Sequence, residues 1–199
     1  MVYTGAFAVE WASRKIIAQV CAKKRGNIFD HVLTGNQLTP TSTVFLRRQC
    51  IEKVGLFDDS LTYGEDYDMW LRISREFHFD YISQPLVAFS LHDGQASLSG
   101  NCDNYEAVIR SIEAQLTKYA QLLAANSKAH SVRYIALGDL YCCSGNIEKG
   151  REALLKAIKL HPMHIRHYYN LALSLLGAEN FKRFKEVKNR ISSALRVML

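Results

Sequence analysis

A chain of 199 residues has room for one ordinary domain or two small ones. With 48% hydrophobic, 22% charged and 11% aromatic residues, and only 11 Gly and 3 Pro, the composition is globular and excludes a disordered chain, a fibre or a long flexible linker. The net charge of +6 is uneven: residues 131–199 hold 12 Lys and Arg against 5 Asp and Glu, whereas residues 1–130 hold 13 against 14, and so neutral a front part argues against a nucleic-acid binder.

Along the first hundred residues, short β-type and helical runs alternate, which indicates an α/β layer. Val2 to Val9 reads as a strand, and Lys23 to Asn27 as a polar turn. Thr41 to Leu46 is rich in β-branched residues and reads as a second strand. Arg47 to Val54 reads as a short helix stopped by Gly55. Glu65 to Phe77 is a helix, because Met69, Ile73 and Phe77 recur at i, i+4 and i+8 with Trp70 beside them. Phe79–Ile82 and Leu86–Leu91 read as strands separated by Pro85. The pattern breaks near Leu98–Asp103, which divides the chain into domains 1–100 and 103–199.

The second part is helical almost throughout. Tyr105 to Asn126 reads as one helix, capped by Asp103 or Asn104, with Val108, Ile112, Leu116, Tyr119 and Leu123 on one face. An internal repeat follows. Tyr134, Leu137, Gly138, Tyr141, Gly150, Leu154, Ala157 and Pro162 occupy positions 4, 7, 8, 11, 20, 24, 27 and 32 of a unit starting at Ser131. A second unit starting at Ile165 repeats its first half with Tyr168, Leu171, Ala172 and Leu175, while Phe184, Lys188 and Ile191 fit poorly. The pattern resembles the tetratricopeptide repeat, with about one and a half repeats (131–164 and 165–198). Small residues at positions 8 and 20 let paired helices approach. A generic helical hairpin pair is the alternative. His161, His164 and His167 lie three apart across Pro162, which interrupts a helical face, and they read as surface residues rather than a zinc site.

The densest cluster of chemistry is Gly64-Glu65-Asp66-Tyr67-Asp68-Met69-Trp70-Leu71-Arg72. Acidic residues in a first helical turn are favoured by its exposed N–H groups, which is a sufficient structural reason for them. Asp66 and Asp68 are two apart, so they point to different sides of the helix. Arg72 reads either as an i+4 partner of Asp68 or as a solvated charge, and Trp70 as core or as a stacking surface.

Together with Gly55-Leu56-Phe57-Asp58, the Thr41–Arg48 run, Phe89-Ser90-Leu91-His92 and Ala96-Ser97-Leu98-Ser99, this cluster resembles the C-terminal half of a family-2 glycosyltransferase with a GT-A fold, over about residues 1–100. The resemblance implies sugar transfer from a nucleotide-sugar donor to an acceptor hydroxyl. It implies Asp66 as general base, Glu65 as its orienting neighbour or an acceptor contact, and Trp70 and Arg72 on the substrate. It also implies His92 as a ligand of a divalent cation, Mn or Mg, beneath the donor diphosphate. The family's nucleotide-binding half and its Asp-x-Asp pair have no counterpart here, so the chain reads as an acceptor-side fragment, expected to be inactive alone. The alternative is a non-enzymatic interaction module, in which 131–199 binds a protein partner or a second copy.

No apolar run approaches the roughly 18 to 20 residues of a membrane-spanning helix. Met1 to Glu10 lacks the basic segment of a secretory signal. Five cysteines without CxxC spacing read as reduced thiols, which suggests a cytoplasmic protein, with peripheral attachment to a membrane left open.

Overall fold

The computed structural model describes residues 1–35, 38, 40–91 and 104–185. The described residues fall into two compact units, one of residues 1–59 and 65–91, the other of 60–64 and 104–185. His92, Ala96 to Ser99, Cys102, Asp103, Lys188 and Ile191 lie outside the described residues.

The first unit is a mixed sheet with helices, built around strand β1 (Val2–Glu10). One edge of β1 pairs in parallel with β4 (Asp80–Leu91) from Val2 to Glu10. The other edge is shared by two antiparallel partners. These are β3 (Val44–Phe45), opposite Val2 and Tyr3, and β2 (Ile16–Val20), opposite Ala6 to Val9. Between strands and sequence come α1 (Phe29–Thr34), α2 (Arg48–Val54) and α3 (Glu65–Glu76). The core gathers Tyr3, Ala6, Val32, Leu33, Cys50, Met69, Trp70, Leu71 and Ile73, all almost fully buried.

Three local readings change. Thr41–Thr43 is a 3-10 turn after Pro40, and only Val44 and Phe45 are strand. The Thr43 hydroxyl donates to the Pro40 carbonyl, a local bond that competes with ladder pairing. Secondly, the two runs around Pro85 form the single strand β4. Its register slips where Thr4 faces Ile82 and Gly5 faces Pro85, so the proline that lacks an N–H sits in an irregularity. A Cβ on Gly5 would lie 2.4 Å from the Val20 carbonyl oxygen and 3.3 Å from Pro85 Cα, so only glycine fits between these strands. Thirdly, β2 adds a hairpin the sequence pattern does not announce. In its loop, Arg14 adopts φ 59°, a conformation usually marked by Gly or Asn.

In the second unit, the expected long helix is two: α4 (Tyr105–Lys118) and α5 (Ala120–Ala124), broken at Tyr119 (φ −107°, ψ 20°). Asn104 precedes α4 without a side-chain cap. Next come α6 (Ser127–Cys143), α7 (Ile147–Leu160) and α8 (Ile165–Ser174), and helical residues 178–185. Asn126 and Asn146 cap α6 and α7 by accepting from Ala129 N and Lys149 N at 3.0 and 3.2 Å. The close approach of α6 and α7 rests on two glycines. A Cβ on Gly150 would stand 2.4 Å from Cys142 Sγ and 3.1 Å from the Gly138 carbonyl oxygen, and one on Gly138 would meet the Leu154 side chain at 2.8 Å. Around them, Ile135, Cys142, Leu154, Ala157, Leu173 and Phe181 form one apolar cluster. Burial pushes the Cys142 thiol up to about 12, so it stays protonated at neutral pH.

A buried polar network fastens the second hairpin to the first. Asn170 Nδ2 donates to Asp139 Oδ1 at 2.9 Å, and Lys185 Nζ donates to Asp139 Oδ2 at 2.6 Å and Asn170 Oδ1 at 3.2 Å. Arg151 Nη2 donates to the Ser174 carbonyl at 2.9 Å. Part of the basic surplus of the last third is therefore committed to internal contacts rather than to an open cationic face.

The expected surface character of the histidine trio holds for His164 but not for His167, which is 2% exposed. Burial, followed by the neighbouring His164, His161 and Arg166, lowers the pKa of His167 below its ordinary 6.5. A histidine held neutral in the folded state stabilises fully above its unfolded pKa and loses that contribution as pH falls below about 6.5. Two outcomes are expected. The melting temperature should fall between pH 7.5 and 5.5, and by less in His167→Gln than in the wild type, as followed by circular dichroism. Gly150→Ala should cost about 1–3 kcal/mol in urea unfolding, because Cys142 and the Gly138 carbonyl must move.

Candidate active site at the start of helix α3

The acidic cluster opens α3, and the structure assigns its members to opposite sides. Asp68 is fully buried, with 0% exposure. Arg72, one turn on, donates from Nε to Asp68 Oδ2 at 2.9 Å. The same guanidinium donates from Nη1 to the Val54 carbonyl at 2.6 Å and from Nη2 to the Leu56 carbonyl at 2.8 Å. Those carbonyls flank Gly55, which ends α2 at φ 85°, a left-handed conformation that favours glycine. Gly55, Asp68 and Arg72 are thus one construction: a buried carboxylate aims a guanidinium that ties the end of α2 to the middle of α3.

Asp66 faces the other way and is half-buried. Its Oδ2 accepts from the Thr41 hydroxyl at 3.2 Å, and its Oδ1 accepts from Tyr67 N at 2.6 Å. Glu65, also half-buried, is the first residue of the helix. Thr41 is the residue that sequence reasoning placed in a strand. Its position in a 3-10 turn is what presents the hydroxyl to Asp66.

The remaining expectations divide. Trp70 is 1% exposed, so its ring belongs to the core and offers no stacking face, and its indole N–H is buried without a hydrogen-bond partner. Arg72 is the i+4 partner of Asp68 rather than a solvated charge, and its three hydrogen bonds go to Asp68 and to the Val54 and Leu56 carbonyls. Tyr67, between the two aspartates, is buried, and its hydroxyl donates to the Leu33 carbonyl at 3.2 Å, which seats α3 on α1. His92 lies outside the described residues. Among the described residues no three His, Cys, Asp or Glu side chains are arranged to hold a metal ion, and Asp68 is committed to Arg72. The motif as described therefore does not fit a divalent cation by itself.

A cavity of about 710 Å³ opens in the same unit, between the starts of β1 and β4, and is lined by Val2, Arg25, Phe45, Arg47, His78 and Asp80 among others. Asp66 is not among its lining residues. Among the described residues no helix is long and apolar enough to cross a membrane.

The segment that leads into α3 is shaped by glycine. Gly64 adopts φ 73°, and a Cβ there would lie 2.6 Å from Gln115 Nε2. Gln115 is 3% exposed and its amide donates to the carbonyls of Tyr63 and Gly64 at 3.4 and 3.3 Å.

With this geometry in place, comparisons with known proteins add a direction. The chain is 28% identical over 97 residues to an uncharacterized glycosyltransferase of Rickettsia typhi, and 26% identical over 97 residues to one of Rickettsia prowazekii. In both cases the match covers 48% of this chain and 30% of the relative, so the chain spans under a third of the curated relatives it matches. No protein-family profile matches the chain, and no solved structure matches it.

If the Asp68–Arg72 pair fastens α2 to α3, Arg72→Ala leaves a buried carboxylate without its cation. It should cost about 3–5 kcal/mol in urea unfolding. Arg72→Lys should recover less than half of the loss, because an ammonium cannot serve two carbonyls and a carboxylate in one plane.

Proposed function

We propose that the first unit is the acceptor side of a family-2 glycosyltransferase with a GT-A fold, acting on a nucleotide-sugar donor and a hydroxyl acceptor. The observation that carries this reading is the division of the acidic cluster. Asp68 and Arg72 serve the fold, while the carboxylate of Asp66 stands half-buried at the helix start beside a hydroxyl and beside Glu65. The likeness to two proteins named glycosyltransferases supports it.

In this reading Asp66 accepts the proton of the acceptor hydroxyl as that oxygen bonds to the anomeric carbon of the donor and the nucleoside diphosphate departs. A base must lie within hydrogen-bond reach of the proton it takes, and the Thr41 hydroxyl, which donates to Oδ2, restricts how the carboxylate turns. Glu65 orients Asp66 or meets the acceptor. Among the described residues no three His, Cys, Asp or Glu side chains are arranged to hold the divalent cation of the donor diphosphate.

The second reading is a protein-interaction module of tetratricopeptide type, formed by the helical unit. The glycine-mediated contact of α6 with α7 at repeat positions 8 and 20 favours it. The two readings part at Asp66. In the longest natural form of the protein, assayed against a panel of nucleotide sugars, Asp66→Asn should lower sugar transfer by about 10²–10⁴-fold. Transfer at the wild-type rate would remove Asp66 from the chemistry, and absence of transfer in the wild type would leave the interaction module.

A further inference from the structure

We propose that the outer face of α8 is a self-association seam, on which a second copy of this chain docks in an antiparallel, two-fold arrangement. The two units of the internal repeat carry the argument. Positions 1, 5, 8 and 12 of the first unit are Ser131, Ile135, Gly138 and Cys142, and all four are buried. Ile135 and Cys142 share an apolar cluster with Leu173 of α8 and Phe181 of the helix that follows, so the second unit covers this face of the first. The same positions of the second unit are Ile165, Tyr169, Ala172 and Leu176. All four are exposed, Ile165 by 81% and Leu176 by 52%. The face that stacks on a neighbour in the first unit is thus bare in the second, and what docks there continues an interface the fold already uses.

The seam is self-complementary. Its residues fall at i, i+4, i+7 and i+11, the spacing by which two helices interlock side by side. Leu176 keeps that course just beyond the helix, because its N–H donates to the Leu173 carbonyl at 3.1 Å. An antiparallel copy, related by a two-fold axis beside Asn170 and Leu171, sets Ile165 opposite Leu176 and Tyr169 opposite Ala172. The small Ala172 makes room for the Tyr169 ring, as Gly138 makes room for Leu154 between α6 and α7. Tyr168 and Leu175, also exposed, widen the apolar strip on one flank. None of the four seam positions carries a charge, so closing the seam strips water from no ion. The number of repeats points the same way. About one and a half are present, a stack of this kind needs about three to bury a continuous core, and two copies joined at this face supply them.

The seam lies in the helical unit, so this proposal is independent of sugar transfer. It rests on the interaction-module reading and names that module's partner; a strictly monomeric chain would refute the partner without refuting the module. Sedimentation equilibrium of the full chain tests it, at loadings up to the order of 100 µM. Reducing buffer keeps the exposed Cys21 from forming a disulfide. A monomer–dimer equilibrium is expected, with a limiting mass of twice 22.6 kDa. Ile165→Glu and Leu176→Glu each place a charge in the seam and should weaken association at least about tenfold. Leu155→Glu, at an exposed apolar position of α7 outside the seam, should leave it unchanged. Circular dichroism checks that each variant remains folded, and all three positions are exposed enough to accept a charge without disturbing the core. A monomer throughout that range, a dimer that persists in both seam variants, or an equal loss in Leu155→Glu would overturn the proposal.

Discussion

The ion pair between Asp68 and Arg72 is the constraint on which the first unit depends. A fully buried carboxylate is tolerated only if it is paired and hydrogen-bonded. Arg72 meets that requirement, and with its two remaining N–H groups it satisfies the carbonyls on either side of Gly55. A helix end that would otherwise leave carbonyls without partners is thereby fastened to a neighbouring helix. The spacing from Gly55 to Asp68 and Arg72 is thus a folding device, and it also sets the rotation of α3 about its own axis.

That rotation decides what the other acidic residues can do. Asp66 lies roughly 200° around the helix from Asp68, and as the second residue of α3 it stands half-buried at the helix start, three and four residues ahead of the buried Met69 and Trp70. The 3-10 turn after Pro40 then brings Thr41 to it. Trp70 belongs to the inward set, which is why it packs rather than stacks on a ligand. Chemistry and fold are separated within three residues of a single helical turn, and the proposed base is the member that the fold does not consume.

Where physics is local, the sequence was readable. Helix α3 and its apolar face follow from the i, i+4 recurrence of Met69 and Ile73, and the end of α2 from Gly55. The α6–α7 contact follows from two small residues at matched positions. What could not be read was set by partners distant in the chain or by conformations outside the usual residue preferences. Strand β2 hides behind a loop whose left-handed residue is Arg14, and β3 shrinks to two residues where the Thr43 hydroxyl bonds the backbone locally at the Pro40 carbonyl. The break of the Tyr105 helix at Tyr119 carries no Gly or Pro to announce it. The burial of His167 was not legible either, because the turn after Pro162, and not a helical face, brings the three histidine rings together. Which carboxylate is buried was open in the sequence, since Arg72 could equally have been solvated.

The central claim is that Asp66 and Asp68, two positions apart and chemically identical, differ in kind. Urea unfolding of Asp66→Asn and Asp68→Asn tests it most directly. Asp68→Asn should lose about 3 kcal/mol or more, as expected for uncoupling a buried ion pair, whereas Asp66→Asn should stay within about 1 kcal/mol of the wild type. Equal losses at the two positions, or a larger loss at Asp66, would contradict the account.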